Sequence, residues 1–383
     1  MYRIRPALSW RAKRSHLILV IGLPGLALVS LIVGVSALAT LSGFELAVPG
    51  RALSFPKDHA SHPTFQTEWW YYTGHLRTAD GEEYGYQLTF FRRRVDEGKW
   101  LAGPSQWSSQ HLYLAHFAIA DKGRERFFFT EKINRPHLGV AGAAEERYHV
   151  WNDDWLAELV GPYHHVQAKS GEFGINLILL PEKGPVVHGR DGVSRKGEGK
   201  GQASHYYSFT RLKTDGLLHV RGVVREVTGI SWMDHEFGSS QLGPTQVGWD
   251  WFSVQLDNHA EVMVYLMRHD DGRTDPYSSG TLVHPDGRAE HLPKEAFEVI
   301  ALGRWTSPRS GTTYPQGWEL RVPKVGLHLR LTPAFADQEL DTKNSTRVVY
   351  WEGSVRVEGT SSGQPIRGVG YVELVGYKTR VDL

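Results

Sequence analysis

Residues 84–90 read YGYQLTF, a stretch in which every second residue is aromatic or aliphatic. This two-residue period predicts a half-buried β-strand, because successive side chains of a strand point to opposite faces. Similar strand-like runs are HLYLAHFAIA at residues 111–120 and GINLILL at residues 174–180. No long segment after the N-terminal region keeps the 3.6-residue period of a helix, so the sequence predicts an all-β fold.

Asp-Gly pairs separate the strand-like runs at residues 80–81, 215–216, 271–272 and 286–287. Such pairs are typical of tight hairpin turns, and strands at this short spacing favour a sandwich or barrel. Gly, Ser and Pro cluster at residues 238–245, which predicts a boundary between β-domains at residues 66–243 and 244–383. Residues 49–65 are predicted to form an extended linker, and the Gly- and charge-rich residues 183–204 a mobile loop.

The N-terminal region contains a long apolar run, residues 17–44, with no charged side chain. Its length exceeds the roughly 20 residues that a helix needs to cross a bilayer. The basic residues that precede it are Arg3, Arg5, Arg11, Lys13 and Arg14. The positive-inside rule predicts a cytoplasmic tip and a single transmembrane helix within residues 1–48, with the remaining chain on the periplasmic side of a bacterial inner membrane. A signal peptide cleaved near the small residues 37–39 is the alternative.

The composition excludes several kinds of site. The chain has no cysteine, which excludes disulfides, thiolate metal sites and a Cys nucleophile. Without the five basic residues before the apolar run, 38 basic and 42 acidic residues remain, so no nucleic-acid-binding surface is predicted. The 19 His residues show no compact ligand spacing, except in the triplet Asp234-His235-Glu236, which strand alternation splits across two faces. No metal site and no cofactor are therefore predicted.

The densest candidate site is GISWMDHEFG at residues 229–238. In a strand, Trp232, Asp234 and Glu236 would share one face. If that face lines a cavity, burial and mutual repulsion would raise the pKa of a carboxyl group, which could then act as a general acid. At least one of Asp234 and Glu236 is therefore a candidate general acid.

A second run, HYYSF at residues 205–209, would place His205 and Tyr207 on one strand face. A turn at residues 215–216 would fold this run against residues 229–238 and bring both side chains near Asp234. The alternative is structural, with the two carboxylates capping a turn or pairing with Arg211 or Arg225.

Two aromatic segments predict the walls of a site for an apolar ligand. They are TEWWYYTGHL at residues 67–76 and VGWDWFSV at residues 247–254. The candidate ligand-binding residues are Glu68, Trp69, Trp70, Tyr72, Glu236, Trp249 and Trp251. Aromatic runs in β-proteins also pack in cores, so core packing is the alternative.

Together with VYWEGSVRVEG and GVGYVELVGY near the C-terminus, these segments resemble the AttH and carotenoid 1,2-hydratase family over roughly residues 55–383. The resemblance implies two lipocalin-like (calycin) β-domains in tandem, here preceded by the N-terminal helix. Pigment-pathway members of that family add water to a terminal C=C bond of an acyclic carotenoid, without a cofactor.

The resemblance also implies roles for particular residues. The aromatic-x-Asp motif of the hydratases matches residues 232–234, and their His-x-aromatic pair matches residues 205–207. It implies Asp234 as the proton donor, His205 as the group that orients it or positions water, and Tyr207 and Trp232 as rings that stabilise a carbocation. Trp232 and Tyr207 stand where carotenoid hydratases carry Tyr and Trp.

Two functions from different classes follow as expectations. The first is a hydratase-like lyase that acts on an apolar isoprenoid or carotenoid-like lipid. The continuation Asp-His-Glu at residues 234–236 resembles the AttH branch, whose members are similar to proteins found beside ABC-type exporters. The second is therefore a non-catalytic, lipid-binding accessory protein of an ABC-type envelope exporter. A hydrolase using the same carboxylates is a third, and an enclosed cavity at Asp234 would favour the first.

Overall fold

The computed structural model describes residues 43–95 and 110–381. The structure is 62% strand and 4% helix, which confirms the all-β prediction, and its sheets form a nearly closed barrel and a half-barrel. The predicted transmembrane helix and the alternative signal-peptide site lie outside the described residues. Among the residues that are described, no helix has the length and apolar character needed to span a membrane.

The first sheet contains 13 antiparallel strands. They are β1 (Thr67–Thr78), β2 (Glu83–Arg94), β3 (His111–Asp121), β4 (Arg126–Asn134), β5 (Ala141–Ala143), β6 (His149–Asn152), β7 (Trp155–Val160), β8 (Tyr163–Ser170), β9 (Phe173–Pro181), β10 (Val186–Val187), β11 (Ser194–Arg195), β12 (Ala203–Val220) and β13 (Val223–Ser239). Their order is β4-β3-β2-β1-β13-β12-β9-β8-β7-β6-β5, with β10 and β11 paired to β12. The long strands β1, β13 and β12 therefore lie side by side.

The second sheet contains 10 antiparallel strands. They are β14 (Gln246–Leu256), β15 (Glu261–His269), β16 (Ser279–Val283), β17 (Ala289–Pro293), β18 (Glu298–Thr306), β19 (Thr313–Val322), β20 (Leu327–Pro333), β21 (Glu339–Thr342), β22 (Val348–Ser361) and β23 (Gln364–Leu374). Their order is β17-β16-β15-β14-β23-β22-β20-β19-β18, with β21 paired to β22. Short 3-10 turns occur at Lys57–His59, His137–Gly139, Lys294–Ala296 and Pro323–Val325.

Three of the four Asp-Gly pairs connect strands as predicted, at residues 80–81, 271–272 and 286–287. The fourth pair, at residues 215–216, lies inside β12, and the chain turns instead at Arg221-Gly222. A Cβ atom on Gly216 would lie 2.3 Å from the backbone oxygen of Asn176 on β9. The glycine is therefore needed for the close approach of two strands and not for a turn.

Each sheet surrounds its own hydrophobic core. The first core includes Trp70, Tyr72 and Met233, and the second includes Phe252 and Trp318. The chain passes from one sheet to the other between β13 and β14, within the Gly, Ser and Pro cluster at residues 238–245 where the domain boundary was predicted. The described residues nevertheless belong to one compact unit.

The two sheets meet through an aromatic layer and buried polar contacts. Tyr71, Tyr206 and Trp232 of the first sheet pack in one cluster with Trp251 and Tyr265 of the second. These large side chains pack closely and are joined by directional hydrogen bonds. Both kinds of contact fix the position of one sheet relative to the other. A site built from both sheets can therefore keep its shape.

A buried ion-pair network strengthens this contact. Glu261 of β15 accepts hydrogen bonds from Arg211 Nε at 2.6 Å and from Lys183 Nζ at 2.8 Å. All three side chains are buried. Lys183 belongs to residues 183–204, which were predicted as a mobile loop. Part of this segment packs against the sheets instead, with His188 and Lys196 also buried, whereas residues 198–200 are exposed.

Residues 43–65 lie against the first barrel, although residues 49–65 were predicted as an extended linker. Phe44, Leu46 and Phe65 are buried, and the backbone N–H of Glu45 donates to the oxygen of Thr64. The packed part of the chain therefore begins before residue 66, although the first strand begins at Thr67.

Leu46 provides a test of this packing, because it is 3% exposed and lies against Gly201, whereas Val48 is 37% exposed. Leu46→Ala removes buried methyl groups and leaves a cavity, so we expect it to lower the free energy of unfolding by about 2–5 kcal/mol. Val48→Ala is the matched control, with an expected change of about 0.5 kcal/mol or less. Chemical denaturation measures both, and equal effects of the two variants would contradict the packing of this segment.

Candidate active site

Strand β13 sends alternate side chains to the two sides of the first sheet, as predicted. Trp232 lies in the aromatic layer between the sheets, whereas Met233 lies in the core of the barrel. By the same alternation, Asp234 and Glu236 face the second sheet, and His235 faces the barrel interior, where its ring stacks on Trp70.

A cavity of about 270 Å³ lies between the two sheets, and Asp234 lines it. The first sheet contributes Trp69, Tyr71, Tyr206, Asp234 and Glu236, the second contributes Trp249, Trp251, Tyr265, Met267, Tyr350 and Glu373, and the segment between β11 and β12 contributes Lys196. Large aromatic surfaces with a few polar groups are typical of small-molecule sites. The cavity can therefore hold a mostly apolar ligand against ionisable groups.

Asp234 accepts three side-chain hydrogen bonds at the wall of this cavity. Its Oδ1 accepts from Trp232 Nε1 at 2.6 Å and from the Ser208 hydroxyl, and its Oδ2 accepts from the Tyr206 hydroxyl at 2.8 Å. Burial raises the pKa of Asp234 to about 7, although these three donors lower it, and Glu236 adds a smaller rise. Asp234 can therefore hold a proton near neutral pH and can also be stabilised after losing it.

A hydrogen-bond chain ties Asp234 to the second sheet. Tyr206 donates to Asp234, and the oxygen of Tyr206 accepts from Trp251 Nε1 at 3.0 Å. Trp251 lies on β14, so the orientation of the carboxyl group depends on both domains.

Glu236, the other carboxyl group on this face, is paired with Lys196. Their Nζ and Oε1 atoms are 3.3 Å apart, and the ammonium group lies 3.8 Å from the ring centroid of Tyr265. Burial favours the neutral amine, but the Glu236 carboxylate and Tyr265 outweigh it and raise the pKa of Lys196. Lys196 therefore stays charged inside the cavity and neutralises its partner.

The two arginines named in the structural alternative have other carboxylate partners among the described residues. Arg211 pairs with Glu261, and Arg225 pairs with Asp80. Neither arginine forms an ion pair with Asp234.

Two carboxyl groups of the second sheet were missed by the sequence analysis. Glu352 accepts from the Tyr71 hydroxyl at 2.6 Å, and Glu373 accepts from Trp249 Nε1 at 2.8 Å. Burial raises the pKa of Glu373 to about 7 and the pKa of Glu352 well above its ordinary value. The signal in the sequence is a lone Glu inside an apolar strand-like run, as in VYWEG and YVELV.

His205 and Tyr207 do not lie near Asp234, so that prediction is wrong. In the β12–β13 pairing, Ser208 is directly opposite Asp234, and Tyr207 is opposite His235. Directly opposite residues of an antiparallel pair share a face, so Tyr206 and Ser208 reach Asp234 while their odd-numbered neighbours point into the barrel.

Inside the barrel, both side chains have other partners. The Tyr207 hydroxyl bonds with Nδ1 of His235 at 3.0 Å and with Nδ1 of His59 at 2.7 Å. His205 Nδ1 donates to the backbone oxygen of Gly192 at 2.7 Å. Trp232 is the other residue for which the resemblance implied a cation-stabilising role. In the structure it donates its indole N–H to Asp234.

The predicted ligand-binding residues divide between the cavity and the core of the barrel. Glu68, Trp69, Glu236, Trp249 and Trp251 line the cavity. Trp70 and Tyr72 belong to the barrel core, where the Tyr72 hydroxyl bonds with Tyr148 at 2.5 Å and with His164 Nδ1 at 2.8 Å.

Glu68 is the centre of a second buried network. Its Oε1 accepts from His62 Nδ1 and from His235 Nε2, each at 2.9 Å, and its Oε2 accepts from Arg92 Nε at 3.0 Å. Although burial alone would raise the pKa of Glu68, the arginine and the two histidines hold it well below its ordinary value.

His62, Glu68 and His235 bring their possible ligand atoms within 4.8 Å of one another, close enough to hold a metal ion. However, burial is outweighed by hydrogen bonds to Asp58 and Glu68, which raise the pKa of His62. His62 and Arg92 both contact the Glu68 carboxylate and balance its negative charge. The geometry therefore fits a closed ion-pair network better than a site for a divalent cation.

Comparison with known proteins gives related folds over most of the chain. The AttH-like family matches residues 46–377. A crystal structure from Nitrosomonas europaea assigned to AttH is 33% identical, with a TM-score of 0.78, over 86% of this chain and 98% of that one. The comparison with curated proteins gives no match.

Two more distant structures share the fold alone. Kievitone hydratase from Nectria haematococca is 15% identical, with a TM-score of 0.67, over 85% of this chain and 93% of that one. CghA, solved with Sch210972, is 13% identical, with a TM-score of 0.53, over 86% of this chain and 95% of that one. The family match and the Nitrosomonas structure each cover most of the described β-structure, and this chain belongs to the AttH-like family.

Proposed function

We propose that this protein adds water to a C=C bond of an apolar, isoprenoid-like molecule bound in the cavity between its two β-domains. The observation that carries the proposal is Asp234, a buried carboxyl group with a pKa raised to about 7 that lines an aromatic cavity. Such a group can donate a proton near neutral pH. The shared fold with kievitone hydratase adds support by analogy.

The geometry supports a simple first step. Proton transfer from Asp234 to a trisubstituted alkene gives a tertiary carbocation and a carboxylate. The carboxylate is then stabilised by the Trp232, Ser208 and Tyr206 donors, which are already in place. Tyr71 and Trp251, which line the cavity, take the role of stabilising the cation that the resemblance implied for Tyr207 and Trp232.

The test uses geranylgeraniol, an acyclic isoprenoid alcohol, as the probe in isotope-labelled water. We expect wild-type protein to form a hydrated product that carries the heavy oxygen, detected by mass spectrometry. Probe that binds but is recovered unchanged would contradict the hydratase proposal. It would instead support the lipid-binding accessory protein of an ABC-type exporter, for which the same cavity would serve as a carrier site.

The rate of hydration should depend on the protonation of Asp234. Because the donor must carry its proton and burial raises its pKa to about 7, we expect kcat/KM to fall by about tenfold for each pH unit above 7. Initial rates with the same probe across neutral and alkaline pH measure this limb. A rate that stays constant through that range would show that no group of this pKa donates the proton.

A further inference from the structure

We propose that Glu373 is the general base that takes the proton from the attacking water, on the opposite wall of the cavity from Asp234. The inference rests on the proposed hydration and assigns its second half to the second β-domain. The resemblance to the hydratase family assigns no role to Glu373.

The position of Glu373 supports the assignment. It lines the same cavity as Asp234, and Trp249 holds one of its carboxyl oxygens at 2.8 Å. Within residues 43–95 and 110–381, the other oxygen has no hydrogen-bond partner. Glu373 is directly opposite Trp251 in the β14–β23 pairing, and Trp251 is joined through Tyr206 to Asp234. The two carboxyl groups therefore flank one aromatic pair.

Other ionisable groups of the wall are less suited to accept a proton. Glu236 is neutralised by Lys196. Both nitrogens of His116 are engaged, with the Tyr350 hydroxyl at 2.8 Å and the Ser345 hydroxyl at 2.9 Å. Glu373 lines the cavity with one oxygen held by Trp249, and among the described residues it has no ion-pair partner.

Glu352 explains how Glu373 can be ionised in a buried site. The two residues are directly opposite in the β22–β23 pairing, so their side chains share a face at close range. Burial and the charge of Glu373 raise the pKa of Glu352 well above that of an ordinary carboxyl group. Because like charges so close do not both ionise readily, Glu352 holds the proton, and Glu373, whose pKa burial raises to about 7, can be ionised near neutral pH and accept a proton.

The complete step balances. Asp234 gives its proton to one alkene carbon, the π bond breaks and a C–H bond forms. The water oxygen then bonds to the cationic carbon, and the water proton passes to the Glu373 carboxylate. The product is a tertiary alcohol, and return of the proton from Glu373 to Asp234 through solvent restores the starting state.

Deuterium oxide separates the two roles, with geranylgeraniol as the probe. In Glu373→Gln, Asp234 can still protonate the alkene and recover the proton, so recovered alkene should gain deuterium while hydration falls by about 10²-fold or more. In Asp234→Asn, both deuterium uptake and hydration should be lost. Glu373→Asp, which keeps a carboxylate, should restore part of the hydration, and this partial rescue is not expected of a residue that only supports the fold.

Glu358→Gln is the matched control, because Glu358 is exposed on β22 and should not affect hydration. Hydration by Glu373→Gln at the wild-type rate would overturn the base assignment while leaving the hydratase proposal intact. Loss of deuterium uptake together with hydration in this variant would also overturn it, since Glu373 would then act before water attack. Wild-type protein that neither hydrates the probe nor exchanges deuterium would overturn the hydratase proposal itself, and the base assignment with it.

Discussion

Asp234→Asn is expected to lower the rate of hydration by about 10²–10⁴-fold, the range found when a general acid is removed. The asparagine has nearly the same size, and its amide oxygen can still accept from Trp232 and Ser208. Its NH₂ group can donate to the oxygen of Tyr206. The variant should therefore fold and bind the geranylgeraniol probe while failing to protonate it.

Asp250→Asn is the matched control for this variant. Asp250 is another buried aspartate, but it pairs with Arg268 and does not line the cavity, so its replacement should reduce stability and spare turnover. Product formation is measured by mass spectrometry and stability by thermal unfolding. A sharp loss of stability in Asp234→Asn, with no turnover by wild-type protein, would show that Asp234 is structural.

Asp234→Asn should also change how stability depends on pH. In the folded protein burial raises the pKa of this group from 3.8 to about 7, so between these values the folded state binds more protons than the unfolded state. The free energy of unfolding contributed by Asp234 is then fully present at low pH and is lost as the pH rises to about 7. The variant should show a shallower fall over that range.

Arg92→Met is expected to lower the free energy of unfolding by about 3–5 kcal/mol, because it removes the guanidinium that pairs with the buried Glu68 carboxylate. Arg92 is 1% exposed, and its guanidinium also donates to the backbone oxygens of Phe65 and His62. The methionine fills a similar volume but cannot replace these bonds. Urea denaturation near neutral pH measures the loss.

Arg77→Met is the surface control, because Arg77 pairs with Glu83 and 65% of its side chain is exposed. Its expected effect is about 1 kcal/mol or less. The double variant Arg92→Met with Glu68→Gln should lose less free energy of unfolding than the sum of the two single variants. The reason is that Glu68→Gln removes the carboxylate charge that Arg92 would otherwise neutralise. An effect of Arg92→Met no larger than that of Arg77→Met would contradict the buried network around Glu68.

The sequence predicted the all-β fold and the shared face of Trp232, Asp234 and Glu236, because both follow from the two-residue period of a strand. It failed on the facing strand because an irregularity in strand pairing is not visible in the local pattern. Counted from the turn at Arg221-Gly222, regular pairing would place Phe209 opposite Asp234, but the β12–β13 register shifts by one residue between Phe209 and Leu212. A shift of one residue sends every side chain to the other face, so Tyr206 and Ser208, and not Tyr207, reach Asp234.

Other members of the cavity could not be located from local patterns. Glu373, which lines the cavity, and Glu352 beside it lie more than 100 residues from Asp234 in the chain, and only the packing of the two sheets brings Glu373 to the same cavity as Asp234. Lys196 lies in a segment whose Gly-rich composition predicted a mobile loop. Contacts between distant elements depend on tertiary packing, which strand periodicity does not encode.

The protonation of Asp234 can be measured without any substrate, by infrared spectroscopy of protein with isotope-labelled aspartate. The difference between wild type and Asp234→Asn isolates the carboxyl band of this residue. We expect the band of the protonated acid to persist as the pH rises and to be half lost near pH 7. A group that is already ionised just above the ordinary value of 3.8 would contradict Asp234 as the proton donor of this cavity.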